Sequence, residues 1–176
     1  MITLLKRLGR DRRGVSAVEF ALIAPAMIAF YFGLAEITQA LLAERRTGHA
    51  ASAIGDLVAQ SSTVSNADLT DIFQVATTIM QPYPTESLKI RVTSVKANAA
   101  GVTTVAWSSG SGLAAHAAGA SLSVPSGVIA ANQSVILSEV TYSYDSPVNF
   151  FMPEAVTFNR KFYLRPRKSD EVAKSN

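Results

Sequence analysis

From Val15 to Ala43 the chain is almost continuously apolar, with carboxylates only at Glu19 and Glu36. Its central stretch, Ala17 to Ala35, is 19 residues long. That is close to the ~20 residues a helix needs to cross about 30 Å of hydrocarbon. Ile37, Leu41 and Leu42 extend it. Further on, Ala50, Ala51, Ile54, Leu57 and Val58 recur at intervals of three and four, an apolar stripe on one side of a helix, with Glu44, Arg45, Arg46 and Asp56 mostly off it. Gly48 and Gly55 each weaken that helix by about 1 kcal/mol relative to Ala. The pattern predicts one helix from Val15 to about Gln60, about 69 Å long at 1.5 Å per residue. Its first half belongs in lipid and its second against a head. Pro25 removes one helical N–H and clashes with the carbonyl of Ala21, so a bend is expected there.

Ser61–Ser65 is a polar break, and Asn66–Met80 reads as a second helix. Ser65 is placed to cap it, with Asp68 in its first turn. Leu69, Ile72, Phe73, Ala76 and Ile79 or Met80 make its buried face, and Pro82 and Pro84 end it. From Leu88 the period becomes two: Leu88, Ile90 and Val92 alternate with Lys89, Arg91 and Thr93, as in a half-buried strand. Asn98–Gly101 makes a turn and Val102–Trp107 the returning strand. Ser108–Gly127, rich in Gly, Ser and Ala, reads as a long surface loop. Val135–Tyr144 is a strand with Val140, Tyr142 and Tyr144 on one face, and Phe158, Phe162 and Leu164 mark a last one. Four antiparallel strands behind an N-terminal helix predict an α+β head. The expected organisation is a basic leader over 1–14, a transmembrane helix over 15–43 and an amphipathic continuation over 44–60. An α+β head over 61–167 and a charged tail over 168–176 follow, with Arg165–Asn176 expected to fray.

Charge sharpens this division. The net charge of +3 is concentrated in residues 1–14, where Lys6, Arg7, Arg10, Arg12 and Arg13 face only Asp11. The remaining residues hold 11 basic and 12 acidic side chains. The basic cluster therefore sets topology by the positive-inside rule, N-terminus cytoplasmic. It is no nucleic-acid footprint, since aromatic residues do not interleave with it and the rest is near neutral. Zero cysteines exclude disulfides and thiolate metal sites. A secretory signal has an apolar region of about 7–15 residues ending at small residues. The segment here is longer, contains Glu19, and lacks a convincing A-x-A exit before Glu36, so a spanning helix is the better reading.

Candidate chemistry is sparse. His49 and His116 lie far apart in sequence, without metal-ligand spacing, and read as ordinary surface residues. The SSGSG run, Ser108–Gly112, has neither the Gly spacing of a nucleophile elbow nor the GK[ST] of a phosphate loop. Asp68 and Asp71 share a helix face that reads as a solvated turn. Phe150, Phe151 and Met152 stand between two prolines, either as a core plug closing the sheet or as an exposed contact for a neighbouring subunit. No metal, cofactor, small-molecule substrate or enzymatic activity is expected.

A carboxylate entering a membrane helix is costly, about 2.5–3.5 kcal/mol at the bilayer centre and less towards the interface. A plain anchor gains nothing from Glu19. The short basic leader, Gly14, Glu19 as the fifth residue after it, and the apolar helix together resemble a type IV prepilin. The segment GVSAVEFALIAPAMIAFYFGLAE, Gly14–Glu36, resembles the TadE/TadG-like pseudopilins of the tight-adherence (Tad) pilus system, including Pro25 and Glu36. Val124–Pro147 resembles a strand region of longer members. The resemblance implies a minor pseudopilin cut by a prepilin peptidase between Gly14 and Val15, with Glu19, Phe20 and Glu36 serving subunit assembly. Glu36 equally reads as a marker of the outer interface. Glu19 would pair with the freed amine of Val15 in a neighbour. Implied partners are the peptidase, the major pilin and other pseudopilins, the inner-membrane assembly platform and the bilayer, with the head in the periplasm. The alternatives are an uncleaved single-pass protein with a periplasmic binding head, or an anchored enzyme.

Overall fold

The computed structural model describes residues 14–175. The first helix, α1, runs Val15–Ala59 as one element of 45 residues, and it continues through Pro25 without a break. None of its positions before Gly33 is buried. From there Gly33, Glu36, Ala40, Ala43, Thr47, Ala50, Ala51, Ile54, Gly55, Val58 and Ala59 are buried. Their three- and four-residue spacing defines one face, and most are small, so the backbone can approach the sheet closely. A Cβ at Gly55 would come within 3.2 Å of the Ser138 Cβ and collide with Leu164. Leu57, expected on the stripe, is 37% exposed; one residue from Val58, it is turned about 100° away.

After Thr63–Val64 (β1) comes α2, Asn66–Met80. It starts as predicted: the Ser65 hydroxyl accepts from the Asp68 N–H at 3.1 Å, and the Asp68 carboxylate accepts from the Ser65 N–H at 2.8 Å. Leu69, Ala76 and Met80 are buried, with Ile72, Phe73 and Ile79 packed beside them. Four strands follow, β2 (Lys89–Ala97), β3 (Thr103–Ser111), β4 (Ser134–Tyr144) and β5 (Val156–Leu164). They form an antiparallel sheet in the order β3-β2-β4-β5, the α+β head expected from the sequence. The Asn98 side chain closes the β2–β3 turn by accepting from the N–H groups of Ala100 and Val102 at 3.0 and 2.9 Å.

Helix α1 lies along one face of the sheet. Ala50, Ala51, Ile54 and Val58 meet Ile90, Val92, Trp107, Ile136 and Val140 in the main core. Nearer the N-terminal end of the buried face of α1, Ala40 and Ala43 meet Met80, Tyr142 and Tyr144. Strand β4 thus runs antiparallel to α1, and the β4–β5 loop falls beside the end of α1 that leaves the head.

Two expectations are corrected. Ser108–Ser111 completes β3 rather than opening a loop, with the Ser108 hydroxyl held 2.8 Å from that of Thr93 and 3.1 Å from the Val92 carbonyl. The chain after it folds back over the outer sheet face, where Leu122, Val124, Val128 and Ile129 pack on Val95, Val135 and Leu137. Its few apolar side chains are enough because the sheet supplies the rest of that second core. Nor does the tail fray over its described residues. Val172 is fully buried and its carbonyl accepts from Trp107 Nε1–H at 2.7 Å. Ala173–Lys174 (β6) pairs in parallel with β1, and the Arg167 N–H donates to the Ala59 carbonyl at 2.8 Å.

Candidate assembly and anchoring site

Lys6, Arg7, Arg10, Arg12 and Arg13 lie outside the described residues. Gly14 stands just before α1 with open space where a Cβ would be, and Val15 is half exposed. The helix surface that follows is bare. Phe20 is 72% exposed, and Leu22, Ile23, Met27, Ile28, Phe30 and Tyr31 are all more than half exposed. Glu19 projects from this bare segment, and among the described residues nothing hydrogen-bonds its carboxylate. α1 is long and apolar enough to cross a membrane, and the bare stretch is the part a bilayer would cover.

Glu36 has the opposite surroundings. It is 2% exposed, and one loop, the β4–β5 connection, closes over it. Its Oε1 accepts from the Phe150 N–H at 2.8 Å and the Ser146 hydroxyl at 3.1 Å. Its Oε2 accepts from the Phe151 N–H at 2.8 Å and the Met152 N–H at 3.2 Å. Successive backbone N–H groups turned inward make an anion-binding concavity, here filled by a carboxylate of the chain itself. Asn149 takes a positive φ of 50° at the bend, a conformation Asn tolerates better than most residues.

The same loop resolves the reading of Phe150–Met152. Met152 packs beside Tyr142 and Tyr144, so it does plug the core. Phe150 and Phe151 do not; they are 65% and 52% exposed, with their rings edge to face. Phe151 lies on Gly33, where a Cβ would stand 3.0 Å from its ring. Further polar ties dock the head-side half of α1. The Tyr83 hydroxyl lies 2.9 Å from Gln39 Oε1, Arg46 donates to the Ile79 carbonyl at 2.9 Å, and Glu44 and Asp56 pair with Arg160 and Arg167.

On the far face of the sheet, buried Glu139 accepts from Arg91 Nε at 2.6 Å and Lys161 Nζ at 2.8 Å, with His116 Nε2 3.5 Å away. Burial works against its charge, but the hydrogen bonds and charges of Arg91 and Lys161 outweigh that and hold its carboxyl below the ordinary carboxylate value. His116 is therefore packed against this ion cluster rather than free on the surface, while His49 is exposed as expected. Among the described residues no group of three or more His, Asp or Glu side chains is arranged to hold a metal ion.

The geometry defines a class: an α+β head carried on a helix whose outer half is bare and apolar. Residues 14–56, about a quarter of the chain, match the family described as TadE-like protein. The match agrees with the resemblance read from Gly14–Glu36. It spans Glu19, Glu36 and the head-packed stripe as far as Asp56, leaving the sheet outside it. No curated protein and no solved structure matches the chain.

Proposed function

We propose that the chain is a minor pseudopilin of a tight-adherence pilus, acting by packing and placement rather than turnover. A prepilin peptidase cuts between Gly14 and Val15 on the cytoplasmic side, and the head stays in the periplasm. Glu19 of one subunit then pairs with the Val15 amine of a neighbour, and exposed Phe20 packs in the same contact. The observation that carries this reading is Glu19 itself, an exposed carboxylate on the bare apolar half of a TadE-like helix. Charges in lipid are expensive and seek partners, and among the described residues its own chain supplies none. The major pilin, other pseudopilins and the inner-membrane assembly platform are the partners this implies.

Glu19→Ala tests the pairing. The variant should still be processed, because the Gly14–Val15 bond is untouched, yet fail to co-purify with the sheared pilus fraction or the assembly complex. Association equal to that of the unaltered protein would remove the pairing role. It would also favour an anchored periplasmic module that is indifferent to Glu19.

A further inference from the structure

We infer that the Pro147–Pro153 segment of the β4–β5 loop dips into the outer leaflet of the membrane, with Phe150 and Phe151 as its wedge and Glu36 as its clamp. The inference rests on Ala17–Ala35 being the membrane span. At 1.5 Å per residue those 19 residues cover about 28 Å, the thickness of the hydrocarbon, so its outer boundary falls next to Ala35. Gly33 lies about 3 Å below that boundary along the helix axis, and the Phe151 ring rests on Gly33. Phe151 also closes an apolar recess of about 260 Å³ whose other walls are Phe30, Gly33, Leu34 and Ile37. A side chain at that depth is in lipid whenever the helix is.

The loop is built for such a position. Asp145 and Glu154 stand at its rims, and no charged residue lies between them. Irregular backbone is excluded from hydrocarbon because its polar groups go unsatisfied. Here Pro147 and Pro153 have no N–H, and the N–H groups of Phe150, Phe151 and Met152 go to Glu36. Those of Val148 and Asn149 turn towards the Ser146 hydroxyl, more distantly, at 3.4 Å. Every backbone N–H along the segment is thus either absent or directed inward, while Phe150 and Phe151, more than half exposed, present their rings outward. The apolar surface they present is continuous with that of Phe30, Leu34 and Ile37 on the anchor. A bilayer covers both at once, whereas a neighbouring subunit would have to be shaped to each. Anchored at Glu36, the wedge holds the head against the membrane at one height and one rotation about α1.

The chain has no cysteine, so a single introduced thiol reports one position. The experiment uses the full chain bearing Phe150→Cys, labelled with an environment-sensitive fluorophore, in phosphatidylcholine–phosphatidylglycerol vesicles at low protein-to-lipid ratio. The vesicles carry lipids with nitroxides at shallow or deep acyl positions. Ile28→Cys marks the span and Glu154→Cys the rim. The expected result is strong quenching at residue 150 by the shallow nitroxide, weaker quenching by the deep one, and little at residue 154. Residue 150 unquenched while residue 28 is quenched would overturn the wedge and leave the span standing. An emission shift at residue 150 that appears only as protein density rises would assign the rings to a neighbouring subunit and overturn it equally. Failure at both 28 and 150 would reject the span itself. Adding Glu36→Gln to the residue-150 probe should roughly halve the shallow quenching, and unchanged quenching would overturn the clamp.

Discussion

Two carboxylates 17 positions apart on one helix, about 26 Å along its axis, live in opposite worlds. Glu36 is sealed by one side-chain hydroxyl and three backbone N–H groups of its own chain. Glu19 stands on bare helix. The contrast extends to their halves of α1: small residues facing a sheet from Gly33 onward, and large exposed apolar side chains before it. A carboxylate satisfied within the chain organises the chain. One left open in an apolar segment has to be satisfied from outside it. Glu36 therefore belongs to the architecture of the head, while the proposed function gives Glu19 the assembly role, although a sequence pattern treats the two alike.

The sharpest way to break this comparison is to remove each carboxylate and follow the head. Glu36→Ala strands three part-buried N–H groups and a buried hydroxyl at once. It should produce the largest fall in unfolding midpoint of any substitution discussed here, read in detergent by circular dichroism. Next comes the seam that lets α1 and the sheet meet. Gly55→Leu forces a side chain into space held by Leu164 and Ser138, and overpacking of this kind costs about 1–3 kcal/mol.

A smaller, pH-dependent effect belongs to Glu139. Its carboxyl titrates below its ordinary 4.5 in the folded protein. Its contribution is therefore fully present above that pH and is lost as pH falls through the lowered value. Arg91, Lys161 and His116 all face it. The unfolding midpoint of the unaltered chain should drop across that acid range, and that of Glu139→Gln should drop less; parallel curves would remove Glu139 from the account. The smallest effect is expected from Glu19→Ala, which should leave head stability within about 0.5 kcal/mol. A destabilisation comparable to that of Glu36→Ala would erase the distinction between the two sites.

Most of the architecture was legible because it rests on periodicity. The run from Val15, the stripe ending at Val58, the Ser65–Asp68 cap and the alternation in β2, β4 and β5 each leave a repeating signal. The shielding of Glu36 does not. Its partners are backbone N–H groups more than 100 residues away, and backbone donors have no sequence signature; only Ser146, Asn149 and the two prolines hint at a tight loop. Exposure of Phe150 and Phe151 was likewise hidden, since aromatic composition alone cannot distinguish a plug from a wedge. The tail misled for a related reason: its charges suggested solvent, while one residue, Val172, together with a carbonyl for Trp107, ties it to the core. One available signal went unread. Gly33, Ala40, Ala43 and Thr47 carry the spacing of the Ala50–Val58 stripe back into the apolar run, and small residues on one face mark where a backbone packs closely.

The division of labour between Glu19 and Glu36 depends on whether the partner proposed for Glu19, a free Val15 amine, exists. The intact mass of the membrane-extracted protein from cells with and without its prepilin peptidase decides this directly. The account predicts a chain beginning at Val15 when the peptidase is present, and the full-length chain when it is absent. A full-length mass in both would contradict it, leaving Glu19 without its partner and the head as the place to look for function.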